Sequence, residues 1–157
     1  MKWFLIIVLI FVIMLIAKAV SEQYKDKYDF YNNLKQFLNL FKINVSFKKE
    51  KIINFLNTIN AKKQFLIFVE EYKNYLNTNE INLNRITLLD EDEKKDLFAI
   101  ISSLGNYDTT NELNQLDNFL ALINAKLEKA TEDKNKLCPM IIKLSLLFAI
   151  GLAIILI

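Results

Sequence analysis

Residues 3–17 (WFLIIVLIFVIMLIA) form an unbroken apolar run bounded by Lys2 and Lys18, and a second apolar segment, LSLLFAIGLAIILI, occupies residues 144–157. At ~1.5 Å per helical residue the first run covers roughly 22 Å, and Ala19 and Val20 bring it close to the thickness of a bilayer core. A helix begun at Pro139 gives the second segment nineteen residues, with Lys143 extending its stem toward the interface. Between the two segments the pattern becomes that of amphipathic helices. Phe30, Leu34, Phe37 and Phe41 recur at spacings of four, three and four, and Phe65, Phe68, Val69, Tyr72 and Leu76 repeat the stripe. A further helix is expected over 46–58, and the Asn-rich stretch 77–84 reads as a loop or short helix. At Asp90 a capping box with Glu93 starts another helix, which ends at Leu104-Gly105, where glycine can take the left-handed conformation.

The longest regular pattern comes last. Leu113, Leu116, Leu120, Ile123, Leu127 and Ala130 alternate spacings of three and four without interruption, which is a heptad seam. Thr109 and Glu112 are placed to cap its start, and nothing breaks the helix before Pro139. A rigid rod of roughly 40 Å would then lead from a soluble domain into the second apolar segment.

Composition narrows the possibilities. With 53% hydrophobic and 24% charged residues the chain is too apolar for disorder and too charged for a polytopic membrane protein. Two Gly and one Pro cannot punctuate a sandwich or barrel, so the fold class is all-α: a helical bundle between an N-terminal and a C-terminal transmembrane helix. The expected divisions are an anchor at 1–20, a cytosolic bundle at 21–137 and a second span at 138–157. Histidine is absent and Cys138 is the single cysteine, which excludes His-based triads, Cys/His zinc sites and an intrachain disulfide. Gly105 and Gly151 lie too far apart for a phosphate-cradling loop. A lone Arg, Arg85, among nineteen Lys argues against nucleic-acid readout. The chain is read as non-catalytic, with no cofactor and no metal.

Orientation follows from the lysines beside the spans. Lys18, Lys25 and Lys27 flank the first on the domain side, and Lys134, Lys136 and Lys143 flank the second, against Lys2 alone on the far side. That asymmetry holds the middle of the chain in the cytosol. The competing reading takes residues 17–19 as the end of a signal peptide, which would leave an exported helical binding module tethered by its C-terminal span. A Lys at the end of the apolar core suits cleavage poorly. Within 21–137, residues 22–63 carry nine basic and four acidic side chains, and 64–137 carry eight and fourteen. Complementary packing of the two parts is one explanation; a basic face toward anionic lipid with an acidic face toward a partner is the other.

Individual residues are weighed in the same way. Asp90, Glu91, Asp92, Glu93 and Asp96 resemble a cation loop, but an EF-hand needs glycine where this chain has Lys95, and a helix N-terminus explains the acids better. Cys138 reads either as an acylation site at the interface or as a small apolar residue. Tyr24, Tyr28 and Tyr31 suit the headgroup level or the domain core equally.

The last third of the chain resembles the stage III sporulation protein AB family. The resemblance rests on Leu104-Gly105 followed by Asp108, a long amphipathic helix, then Lys136, Met140 and Leu144 leading into an apolar segment; the layout of the whole chain agrees with it. Glu112, Pro139 and Ser145 depart from the residues usual in that family. The family is similar to the inner-membrane platform protein of type II secretion and type IV pilus machines. The resemblance therefore implies a non-catalytic scaffold subunit of a channel between mother cell and forespore. Its implied partners are a cytoplasmic hexameric ATPase, other membrane channel subunits and the bilayer itself, and a homo-oligomer is compatible with the seam. Glu91, Asp92 and Asp96 are the candidate contact for the ATPase.

Overall fold

The computed structural model describes residues 2–47, 52–59, 63–105 and 109–156. Among these there are five α-helices and one 3-10 turn, with no strand: α1 (Lys2–Phe47), α2 (Ile52–Thr58), α3 (Lys63–Thr78), the turn Leu83–Arg85, α4 (Glu91–Ser103) and α5 (Thr109–Leu156). The first apolar run and the Phe30 stripe thus belong to one helix of 46 residues. Likewise the heptad seam and the second apolar segment share one helix of 48.

Two expectations change. The helix anticipated over 46–58 is divided, its first two residues closing α1 and its last seven forming α2. In a continuous helix Phe55 would lie ~27 Å beyond Phe37. Their ring centroids are instead 5.7 Å apart, so the chain has to turn back. The second departure is at Pro139, which lies inside α5 rather than starting a helix. Proline has no N–H for the carbonyl of Asn135, but the turns on either side keep their bonds, and a single missing bond does not end the helix.

The chain divides into two compact units, Met1–Tyr28 with Lys129–Ile157, and Asp29–Glu128. The first contains the apolar parts of α1 and α5. Their most apolar windows have mean hydropathy 2.2 and 2.3, and both helices are long and apolar enough to cross a membrane. Phe4, Ile7, Phe11, Leu147, Phe148 and Ile155 point outward, as side chains do when hydrocarbon is the solvent. Small residues face inward instead: Ala17 and Ser21 on α1, and Ala130, Cys138 and Ala149 on α5, are buried. Small side chains let two backbones approach closely. At that contact the Cys138 thiol donates to the Ser21 carbonyl at 3.4 Å.

The second unit is built on aromatic side chains. Phe30, Leu34, Phe37, Leu38 and Phe41 are buried on α1, as are Phe65, Phe68 and Tyr72 on α3. Phe37 meets Phe68 edge-on at 5.8 Å and Tyr72 at 6.2 Å, and Phe65 and Phe68 lie 5.2 Å apart. Each such pair contributes about 0.5–1.5 kcal/mol beyond its area burial. Leu97, Ile100 and Ile101 supply the inner face of α4, and Leu116, Leu120 and Ile123 of the seam are buried on α5. Lys42 on α1 pairs with Asp117 on α5 at 2.5 Å, a contact between the basic first part and the acidic second. Both ends are partly exposed, so the pair contributes at most ~1 kcal/mol.

The seam yields a measurable contrast. Leu116 is fully buried, whereas Leu122 on the same helix is 37% exposed. Leu116→Ala should cost ~2–5 kcal/mol in denaturant unfolding of the detergent-solubilised chain, and Leu122→Ala under about 1 kcal/mol. Equal losses would show that the seam is not the packed face.

Candidate functional site

The acidic start of α4 is the first candidate, and its geometry begins with the cap. Asp90 Oδ1 accepts from the Glu93 N–H at 2.8 Å, and Glu93 Oε2 accepts from the Asp90 N–H at 3.0 Å, so the capping box closes in both directions. The other three acids differ among themselves. Glu91 and Asp92 are exposed and paired within the helix, to Lys94 at 2.7 Å and Lys95 at 2.9 Å. Asp96 instead reaches across to Lys126 on α5 at 2.7 Å. The Asp92 carboxylate raises the Lys95 pKa. Beside Glu91 a shallow groove of about 330 Å³ runs along Ile81, Leu83, Lys94 and Phe98. Phe98 is 44% exposed and packs edge-on against Tyr75. The three acids are therefore not equivalent: Glu91 and Asp92 are presented outward, Glu91 on the wall of a groove of mixed polarity, and Asp96 helps hold α4 to α5.

Of the other marked residues, Leu104 and Gly105 form the end of α4. Leu104 is buried and donates its N–H to the Ile100 carbonyl at 3.2 Å. Gly105 has φ +82, and an added Cβ would sit 2.6 Å from Ile52 Cδ1. The Ile52 methyl can move aside, so the left-handed backbone is the larger obstacle to a side chain here. Glu112, expected to cap with Thr109, has its Oε1 on the Gly105 N–H at 2.9 Å. Thr109 is the first helical residue of α5, and Asp108 lies outside the described residues. Lys136, Met140 and Leu144 follow one another at four-residue spacing along α5 and are exposed; Lys136 pairs with Glu132 at 3.3 Å. Cys138 is buried, which closes its thiol to an acylating enzyme in this conformation.

Sequence reasoning passed over one constellation. Glu71 on α3 is buried and receives Arg85 Nη1 at 2.5 Å and the Asn82 N–H at 2.9 Å. The single arginine of the chain thus ties the 3-10 turn to α3. The signal was present: Glu71 stands three residues after Phe68, on the buried stripe, where a carboxylate requires a partner. The tyrosines also separate. Tyr28 lies under Lys134, whose Nζ is 3.8 Å from the ring centroid, a cation–π contact. Tyr31 is in the core with its hydroxyl toward Glu93, within reach of the carboxylate but short of hydrogen-bond geometry.

A model of the stage III sporulation protein AB family matches residues 2–157. The chain belongs to that family. No curated protein and no solved structure matches it. Membership covers both apolar helices and the residues between them, so the match and the fold together give a sporulation-related protein that is helical throughout its described residues and has two helices long and apolar enough to cross a membrane. Of the residues that carry the resemblance, Leu104 and Gly105 form the left-handed close of α4, and Lys136, Met140 and Leu144 lie on the outward face of α5.

Tyr31 supplies a pH test. Burial, and then the carboxylates of Glu93, Asp90 and Asp96, push its hydroxyl well above the ordinary 10.0. Burial, followed by Glu112 and Tyr75, does the same to Tyr72. A raised folded pKa leaves this contribution fully present below about pH 10, where both states hold the proton. Above it the unfolded chain releases the proton first, and stability falls as pH rises. Tyr31→Phe should make that fall less steep in unfolding curves taken from pH 8 to 11; an unchanged slope would mean the hydroxyl is not desolvated on folding.

Proposed function

We propose that the chain is a non-catalytic platform subunit of a sporulation-specific, secretion-like channel between mother cell and forespore. In this reading it couples a cytoplasmic hexameric ATPase to ring-forming membrane components, and it sits in the septal membrane with residues 21–137 in the cytosol. It binds no nucleic acid and needs no cofactor. The observation that carries the reading is the continuity of α5 from Thr109 to Leu156. One helix contains both the buried seam Leu116–Leu120–Ile123 and an apolar end, so displacement applied at one part is passed along a single helix that lacks only the bond Pro139 cannot donate. Family membership supports the sporulation setting. Glu91 and Asp92, exposed beside the groove that contains Phe98, support an electrostatically steered partner contact on α4.

Charge reversal tests the partner contact. Glu91→Lys with Asp92→Lys should weaken capture of the ATPase by the tagged full-length chain several-fold, and more at low salt than at high, because exposed charges are screened within ~8–10 Å. Asp96 is left intact because reversing it would place two cations together at Lys126. Undiminished capture at every salt concentration would remove this surface from the proposal.

Orientation is tested separately by thiol labelling in intact cells, in a Cys138→Ser background. Asn79 is a poor reporter because it holds φ +59, a conformation that a cysteine adopts with strain. Glu80 is exposed and free of that constraint. Glu80→Cys should resist an impermeant maleimide until the cells are opened. Labelling in intact cells would favour the exported, C-terminally tethered module.

A further inference from the structure

Within the unit formed by residues 1–28 and 129–157, Phe11, Met14, Lys18, Ser21 and Lys25 follow one another on α1 at spacings of three and four, so they form one stripe parallel to the helix axis. A cleft of about 320 Å³ opens along that stripe, with Leu15 beside it and Ile142 of α5 on its other wall. The volume is that of a small-molecule site. Its character changes along its length. Phe11, Met14, Leu15 and Ile142 make one end apolar, while Lys18 and Lys25 make the other end cationic, and no carboxylate lines it. Neither lysine forms an ion pair among the described residues. Ser21, between them, is 2% exposed, and its hydroxyl has no partner there. A buried hydroxyl without a partner is destabilising, so an acceptor brought to it is stabilising.

We propose that this cleft holds one anionic glycerophospholipid, with an acyl chain along Phe11, Met14, Leu15 and Ile142 and the phosphate among Lys18, Ser21 and Lys25. The stripe passes from apolar to cationic along the helix axis in the order in which a lipid passes from acyl chain to phosphate. Lys18 and Lys25 are ~10 Å apart along the axis, which brackets a headgroup between one cation nearer the hydrocarbon and one nearer water. A free phosphate ion would leave the apolar half of the cleft unused. The proposal rests on α1 and α5 lying in a bilayer.

Native mass spectrometry of the full chain released from micelles tests it, with phosphatidylglycerol and phosphatidylcholine of identical acyl chains as probes. The chain should retain one phosphatidylglycerol in preference to phosphatidylcholine. Lys18→Gln with Lys25→Gln should lower that retention by about tenfold or more, since each lysine near an anionic surface is worth ~1 kcal/mol. Lys143→Gln, outside the cleft, should leave it unchanged. Met14→Trp should abolish retention while keeping both lysines, which separates a cleft from general attraction to anionic lipid. Equal retention of the two lipids would overturn the proposal, as would an equal loss in Lys143→Gln or displacement by inorganic phosphate with Met14→Trp inert. A dimer lost in Met14→Trp without any change in lipid binding would assign the cleft to a second copy of the chain. Alkaline carbonate extraction distinguishes the two possible failures: a chain that stays in the membrane but lacks the preference loses only the lipid site, whereas a chain that is extracted loses the membrane reading as well.

Discussion

Phe37 sits where α1, α2 and α3 converge, in ring contact with Phe41, Phe55, Phe65, Phe68 and Tyr72, and the arrangement of the domain depends on that contact. Aromatic rings bury large area with few rotatable bonds, so a core made of them pins its helices at low entropic cost. The pinning is geometric as well. Phe55 reaches both Phe37 and Phe41 only if the chain reverses after α1, and Phe30 meets Phe65 and Phe68 while Phe37 meets those two and Tyr72, which sets the start of α3 beside Phe30 and its next turns beside Phe37. The shape of the bundle follows from satisfying these rings together.

A chain with two glycines must make its turns by other means. Side-chain acceptors take over from glycine conformations in this protein. Glu71 holds the Asn82 N–H and the Arg85 guanidinium, Asn82 Oδ1 holds the Asn84 N–H at 3.2 Å, and Gln64 Oε1 holds the Thr87 N–H at 3.3 Å. Among the described residues the left-handed conformation is taken by Gly105 and Asn79, residue types that favour it, and by Lys63 at the start of α3. Glu71 and Glu112 are the buried carboxylates of the domain, and both are acceptors for loop backbone. Both carboxylates are thereby built into the turns they hold.

The two long helices serve two solvents. In the apolar parts of α1 and α5 most large side chains face outward, Ile6 excepted, and Ala17, Ser21, Cys138 and Ala149 face inward; in the domain parts of the same helices the large side chains of the Phe30 and Leu116 stripes face inward. That inversion is what a helix requires when it passes from hydrocarbon to water, because only in water is burial of large apolar groups the main driving force. The elements that pack the domain are thus covalently the elements that enter the apolar unit.

Much of this was legible along the chain because hydrophobic period is a local property. The stripes beginning at Phe30, Phe65 and Leu113, the two apolar segments, the box at Asp90 and the close at Gly105 each need only residues within a turn or two of one another, and each is found where the spacing puts it. The departures among the charged residues involve partners outside their own turn. Its spacing from Thr109 makes Glu112 a cap for its own helix, whereas its carboxylate accepts from the Gly105 N–H. Asp96 was grouped with Glu91 and Asp92 by proximity, but the packing of α4 on α5 gives it Lys126. Pro139 looked like a helix start because proline favours first turns, yet cooperative hydrogen bonding on both sides carries α5 through it. Glu71 and Arg85 were never paired, since nothing in a separation of 14 residues announces a contact. Periodicity by itself determined which faces are apolar and how long the helices can run; which charge meets which was decided only when the aromatic core fixed the helices relative to one another, because an ion pair needs its atoms within about 4 Å.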